Sequence, residues 1–168
     1  QSAINCLPKG AKLYFPTGVY LTAPLCLKSH ITLELAEGAT ILGHTDTAKY
    51  PVIPGHIQDM ISGQDIEFGT WEGNSVQMRQ ALIFAEYAED ITIIGPGTVD
   101  GNAQNSIWWD NPKSAIARPR LLFFNRCNGI RVHGITAQNS ASWQLHPYYS
   151  QNIDFLDISI FAPKDSPN

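Results

Sequence analysis

The chain has 168 residues, 43% of them apolar, enough for one packed domain and too apolar for a disordered segment. Charged residues make up only 15%, while 13 Gly and 11 Pro turn the chain often, a balance that suits an all-β protein better than a helical one. A net charge of −4 without a basic patch argues against nucleic acid as a partner, and no apolar run reaches the ~20 residues of a membrane span; an anionic substrate stays compatible, because a site needs only a few local cations.

Residues 1–4, Gln-Ser-Ala-Ile, carry neither an initiator Met nor a leader and read like the middle of a domain. Cys6, Cys26 and Cys127 fit neither a zinc spacing nor a CxxC motif. They read as small buried hydrophobes, with a Cys6–Cys26 disulfide as the alternative. The dominant signal is then a repeat. Four segments align: Leu25–Leu35, Leu82–Gly95, Leu121–Ile135 and Gln144–Ile158. Each has a short apolar strand, a polar turn, and a strand alternating apolar with polar. In the third copy Ile130, Val132 and Ile135 alternate with Arg131 and His133. In the fourth, Ile153, Phe155, Ile158 and Ile160 alternate with Asp154, Asp157 and Ser159. Period-two alternation predicts half-buried strands, and the ~23-residue spacing of the last two copies is a solenoid period. A coil of that length holds about three strands and three turns, each coil burying its inner face against the next. Asn125, Asn128, Gly129, Gly134, Asn139 and Asn152 supply corner residues that tolerate positive φ. The predicted fold is an all-β, right-handed parallel β-helix forming one domain over 1–168. A β-sandwich is the alternative, and Asn128-Gly129 is one hairpin-like dipeptide in its favour, outweighed by the wider repeat.

Two stretches interrupt the repeat, residues 44–80 and 102–120, and insertions in a solenoid map to loops on one side, often the binding side. Trp71, Trp108 and Trp109 lie in them. Such rings either stack on sugars or pin their own loops.

Several motifs, in order, resemble glycoside hydrolase family 28, the polygalacturonase family. Leu13–Leu25 is similar to the family's first coil and Leu27–Gly43 to its next. Ile91–Gly101 resembles the "ItI.G.GtiDG" segment, followed by Trp108-Trp109. Arg118–Phe124 resembles the "RPrli.f" strand, and Trp143–Pro147 the "W..HP" element. The resemblance implies hydrolysis of α-1,4 bonds between galacturonates with inversion, by one protonated carboxyl and one water-activating carboxylate roughly 6.5–9.5 Å apart. It implies no metal and no other cofactor, and a pectic polysaccharide or oligogalacturonide as partner, with neither nucleic acid nor membrane. The family's Asn-Thr-Asp motif follows a segment like Ala162–Asn168, so Asn168 reads as its first letter and the catalytic acids are expected beyond it. The chain accordingly reads as an incomplete, N-terminal part of such an enzyme, inactive and poorly stable alone.

Within the chain, His146 is the leading candidate for substrate contact, with Asn168 near the centre by adjacency. Arg118 and Arg120 are candidates for pairing with a galacturonate carboxylate, because the guanidinium fork matches it bidentately. Trp109 is a candidate subsite wall. Asp100, Asp110 and Asp165 are the carboxylates within the chain that tempt a catalytic reading, but Asp100 reads as a turn residue, and Asp110, Asp154 and Asp157 as solvated carboxylates. His133 reads as an exposed strand residue. The long first insertion leans to a cleft closed at one end and exo action. Rhamnogalacturonan or xylogalacturonan specificity, or a non-catalytic carbohydrate-binding β-helix, are the rival readings. The compartment leans to secreted or periplasmic, with cytosolic members in the family.

Overall fold

The computed structural model describes residues 1–71, 74–110 and 116–167. Five coils follow one another. The first holds β1 (Lys12–Phe15), β2 (Gly18–Thr22) and β3 (Leu25–Cys26). The second opens with β4 (Ile31–Leu35) and β5 (Ala39–Gly43). It then leaves the coil through six short strands, β6 (Val52–Ile53), β7 (His56–Gln58), β8 (Asp65–Glu67), β9 (Thr70–Trp71), β10 (Asn74–Ser75) and β11 (Met78–Arg79), and closes with β12 (Ile83–Glu86). The third holds β13 (Glu89–Ile94), β14 (Thr98–Asp100) and β15 (Leu122–Asn125); the fourth, β16 (Asn128–His133), β17 (Thr136–Gln138) and β18 (Leu145–Tyr148); the fifth, β19 (Gln151–Leu156) and β20 (Ser159–Phe161).

Corresponding strands stack into three parallel sheets: β1-β4-β13-β16-β19, β2-β5-β14-β17-β20 and β3-β12-β15-β18. This is the right-handed parallel β-helix expected from the repeat, and parallel stacking rules out the sandwich. Side-chain alternation explains why the coils adhere. Ile31, Ile91, Ile130 and Ile153 lie in one register, and Leu33, Ile93, Val132 and Phe155 in the next. These columns point inward and join a single core with Leu25, Ile83, Leu122 and Leu145. Helix α1 (Ser2–Cys6) lies at the first coil, with Ile4 buried in that core. No periodicity in the sequence announced this helix, because five residues give too little pattern.

The corners between the third and first sheets share one conformation. Tyr87, Arg126 and Tyr149 lead them with positive φ, and Asp90, Gly129 and Asn152 repeat it three residues on. A left-handed residue costs roughly 1–2 kcal/mol unless it is Gly, Asn or Asp, so Tyr and Arg hold this shape only because the paired strands on both sides dictate it.

Both insertions leave from the corner between the second and third sheets. Backbone crowding there is severe: a Cβ on Gly101 would lie 2.5 Å from the Asn139 carbonyl oxygen. The first insertion is not irregular. β6 pairs with β11, β7 with β8, and β9 with β10, all antiparallel. The cysteine reading needs correction. Cys127 is buried, but Cys6 and Cys26 are exposed and free. Strand alternation gives the core to Leu25 and Leu27 and turns Cys26 to the outer face.

Candidate functional site

The third sheet carries the site. Its inward column is Leu25, Ile83, Leu122 and Leu145; its outward column is Cys26, Phe84, Phe123 and His146. The first insertion folds over part of that outer face. Phe68 meets Phe84 edge-on at 6.1 Å and Phe123 at 5.7 Å, and Met78 and Ala81 complete a second small core. His146 sits at the margin of this cover, half-buried.

His146 stacks on Phe123 with ring centroids 5.0 Å apart and meets Trp143 edge-on at 4.5 Å. The Arg120 guanidinium lies over the same two rings, 5.0 Å from Phe123 and 5.2 Å from Trp143, and donates to Met78 Sδ at 2.7 Å. Burial pushes the Arg120 pKa down to about 10. Burial, then the Arg120 charge, pushes His146 down to about 3, so its imidazole is neutral at ordinary pH. The buried Nδ1 of His146 has no hydrogen-bond partner among the described residues.

The sequence candidates thus divide. Arg120 and His146 come together; Arg118 and Arg120 are each only 5% exposed, and burial lowers the Arg118 pKa as well. Trp108 pins its own loop, packed edge-on against Tyr50 at 5.6 Å. Trp109 is half-buried and donates Nε1–H to the Ser140 carbonyl at 3.2 Å, beside the corner that bears Trp143. The Trp71 side chain and Asn168 lie outside the described residues. Asp100 is a buried corner residue that accepts from the Asn102 amide and from the Gln138 and Asn139 side chains. Asp110, Asp154, Asp157 and Asp165 are exposed, and so is His133, which meets Asp157 at 3.0 Å.

A second cluster escaped the sequence reading. Asp59, from the turn after β7, accepts from the Tyr87 and Ser62 hydroxyls and pairs with Arg126 at 3.2 Å. Those partners, Ser62 first, hold its carboxyl well below the usual range. Glu86, two positions along from Phe84, accepts from Asn125 Nδ2 at 2.9 Å, and burial raises its pKa. Long-range partners of this kind leave no local motif.

The family model for glycosyl hydrolases family 28 matches residues 25–168. The chain belongs to that family. Among its family 28 relatives, a probable polygalacturonase of Vitis vinifera is 36% identical over 177 residues, spanning 100% of this chain and 34% of that protein. In solved structures, a family 28 exopolygalacturonase of Yersinia enterocolitica matches with a TM-score of 0.78 at 19% identity, over 99% of this chain and 35% of that one. A hyperthermoactive exopolygalacturonase of Thermotoga maritima matches with a TM-score of 0.70 at 25% identity, over 91% and 40%. The chain spans about a third or less of the length of the first curated relatives it matches.

Proposed function

We propose that this family 28 chain supplies part of the substrate-binding cleft of a glycosidase that cleaves α-1,4-galacturonosyl bonds of pectic polysaccharide with inversion. The observation that carries the reading is the cluster of Arg120, His146 and Trp143 on the outer face of the third sheet, at the open margin of the insertion. A guanidinium backed by aromatic rings suits an acidic sugar: the rings take the pyranose face and the cation favours its carboxylate. Arg118 and Trp109 are assigned to the same wall, and Asn168 to its catalytic end. The carboxyls that perform the chemistry belong, on this reading, to the Asn-Thr-Asp element and those after it, so the 168 residues alone release no reducing ends.

The cover that Phe68 and Met78 place over Phe84 and Phe123 favours exo action, because a polymer lying along the third sheet meets a wall there. The names of the two exopolygalacturonase neighbours agree with it. The test is reducing-sugar release from polygalacturonate by the full-length gene product and by these 168 residues. An active parent giving only one short product, beside a silent segment, is the expected result. A ladder of products overturns the exo reading. A parent that binds polygalacturonate without cleaving it favours the binding-module reading, and cleavage of rhamnogalacturonan or xylogalacturonan alone moves the specificity.

A further inference from the structure

Four rings cross the outer side of the fourth coil in succession. Trp143 meets His146 at 4.5 Å and 86°, His146 meets Tyr148 at 5.4 Å and 55°, and Tyr148 meets Tyr149 at 4.7 Å and 74°. The middle two form a floor, closed beneath by Phe123. The outer two stand up from the two corners that flank β18, with Trp143 47% and Tyr149 71% exposed. A cation props each rim: Arg120 lies 5.2 Å from the Trp143 ring, and Arg126 lies 4.7 Å from the Tyr149 ring. Tyr149 holds φ at 47°, a region that bulky residues avoid. The flanking strands, which set the same corner conformation at Tyr87 and Arg126, thus fix the backbone of an exposed ring that Tyr148 and Arg126 also brace, and this preorganises its face.

We propose that Trp143, His146, Tyr148 and Tyr149 form a cup for one pyranose ring of an acidic oligosaccharide, with Tyr149 as its stacking platform. The inference deepens the functional reading above and rests on it. Aromatic faces suit the apolar C–H face of a sugar, and the Arg120 guanidinium biases the Trp143 side of the cup toward a negative ring substituent. Among neighbouring carboxylates, Asp59 is paired with Arg126 and Glu86 accepts from Asn125, while Glu67 acts on Tyr148 and disfavours a negative substituent at that side of the cup.

The experiment compares Tyr149→Asn and Tyr149→Phe with wild type in the full-length enzyme, using polygalacturonate as the probe. Asn removes the ring and is comfortable at positive φ, so fold and melting temperature are retained. Tyr149→Asn is expected to raise KM about tenfold, the loss of one stacking contact, with kcat unchanged. Tyr149→Phe keeps the ring and stays within about twofold of wild type. An unchanged KM in Tyr149→Asn, a loss confined to kcat, or equal damage in Tyr149→Phe overturns the cup while leaving the pectin reading intact. A wild-type enzyme that neither binds nor cleaves polygalacturonate overturns the functional reading, and the cup with it.

Discussion

Protonating His146 would set a second cation against Arg120 between Phe123 and Trp143. The folded chain resists this, and the pKa falls from 6.5 to about 3, by burial first and by Arg120 second. Tyr148 packs on the other side, its hydroxyl donating to the Glu67 carbonyl at 3.2 Å. The sign of the pH dependence follows. Below 6.5 the unfolded chain takes up a proton that the folded chain refuses, so His146 withdraws stability as pH falls from 6.5 toward 3 and is silent above. His146→Phe keeps the stacked shape without the proton. Its melting temperature should fall less than wild type between about pH 6.5 and 4, as thermal melts across that range will show; parallel curves would sink the assignment. At this scale the sequence was partly legible. The W..HP resemblance pointed to His146 as a candidate, which the fold sets beside Arg120 and Trp143, and Asp100 is the turn residue its Val-Asp-Gly setting implied. The burial of Arg120 was not legible, because it depends on Met78 arriving from an insertion tens of residues away. Nor was Tyr149, whose exposure is set by corner geometry and not by any period.

Among elements, the β7–β8 hairpin has its turn tied down by a carboxylate, with a second hold at Glu67 through Tyr148. Asp59 ties its turn to Tyr87 and Arg126, while Met60 and Ile61 at the tip face solvent. A depressed Asp pKa contributes stability that is present above about 4 and is lost only as pH falls further, so the tie survives weakly acidic conditions. Asp59→Asn should loosen the hairpin without unfolding the solenoid. Hydrogen exchange should accelerate over residues 56–67 and not in β13 or β16; uniform protection would show that the tie is dispensable. The coil strands were legible because Ile130/Val132 and Ile153/Phe155 must alternate to face one core. The hairpins of residues 52–75 were not, since two- and three-residue strands between Pro and Gly carry no period to read.

Taken whole, the molecule is a stack whose layers depend on one another. Leu33 is fully buried between Leu13 and Ile93 in adjacent coils. Leu33→Ala should therefore cost about 2–5 kcal/mol, measured by chemical denaturation in the full-length protein; a cost below about 1 kcal/mol would mean the coils repack. The fifth coil presents Ile160 at 58% and Phe161 at 56% exposure, beside the unpaired edges of β19 and β20. Such a surface recruits further strands, so the 168-residue chain by itself should self-associate in sedimentation velocity. A monodisperse monomer with a cooperative melt would contradict this.

Placing both insertions in the first three coils also sets an order of events in time. Contacts between the fourth and fifth coils join residues 23 apart, as between Cys127 and Ser150. Those between the third and fourth span up to 39, those between the second and third up to 60, and β1–β4 and β2–β5 of the first two coils only 20 and 21. Closing the longest of these loops costs roughly 1 kcal/mol more chain entropy than closing the shortest. The two ends, coils one with two and coils four with five, should then form first, and the stacking of the second coil on the third should come last. The cup, on coils joined at short range, would then be in place before the wall, whose Phe68 must reach Phe123 from far along the chain.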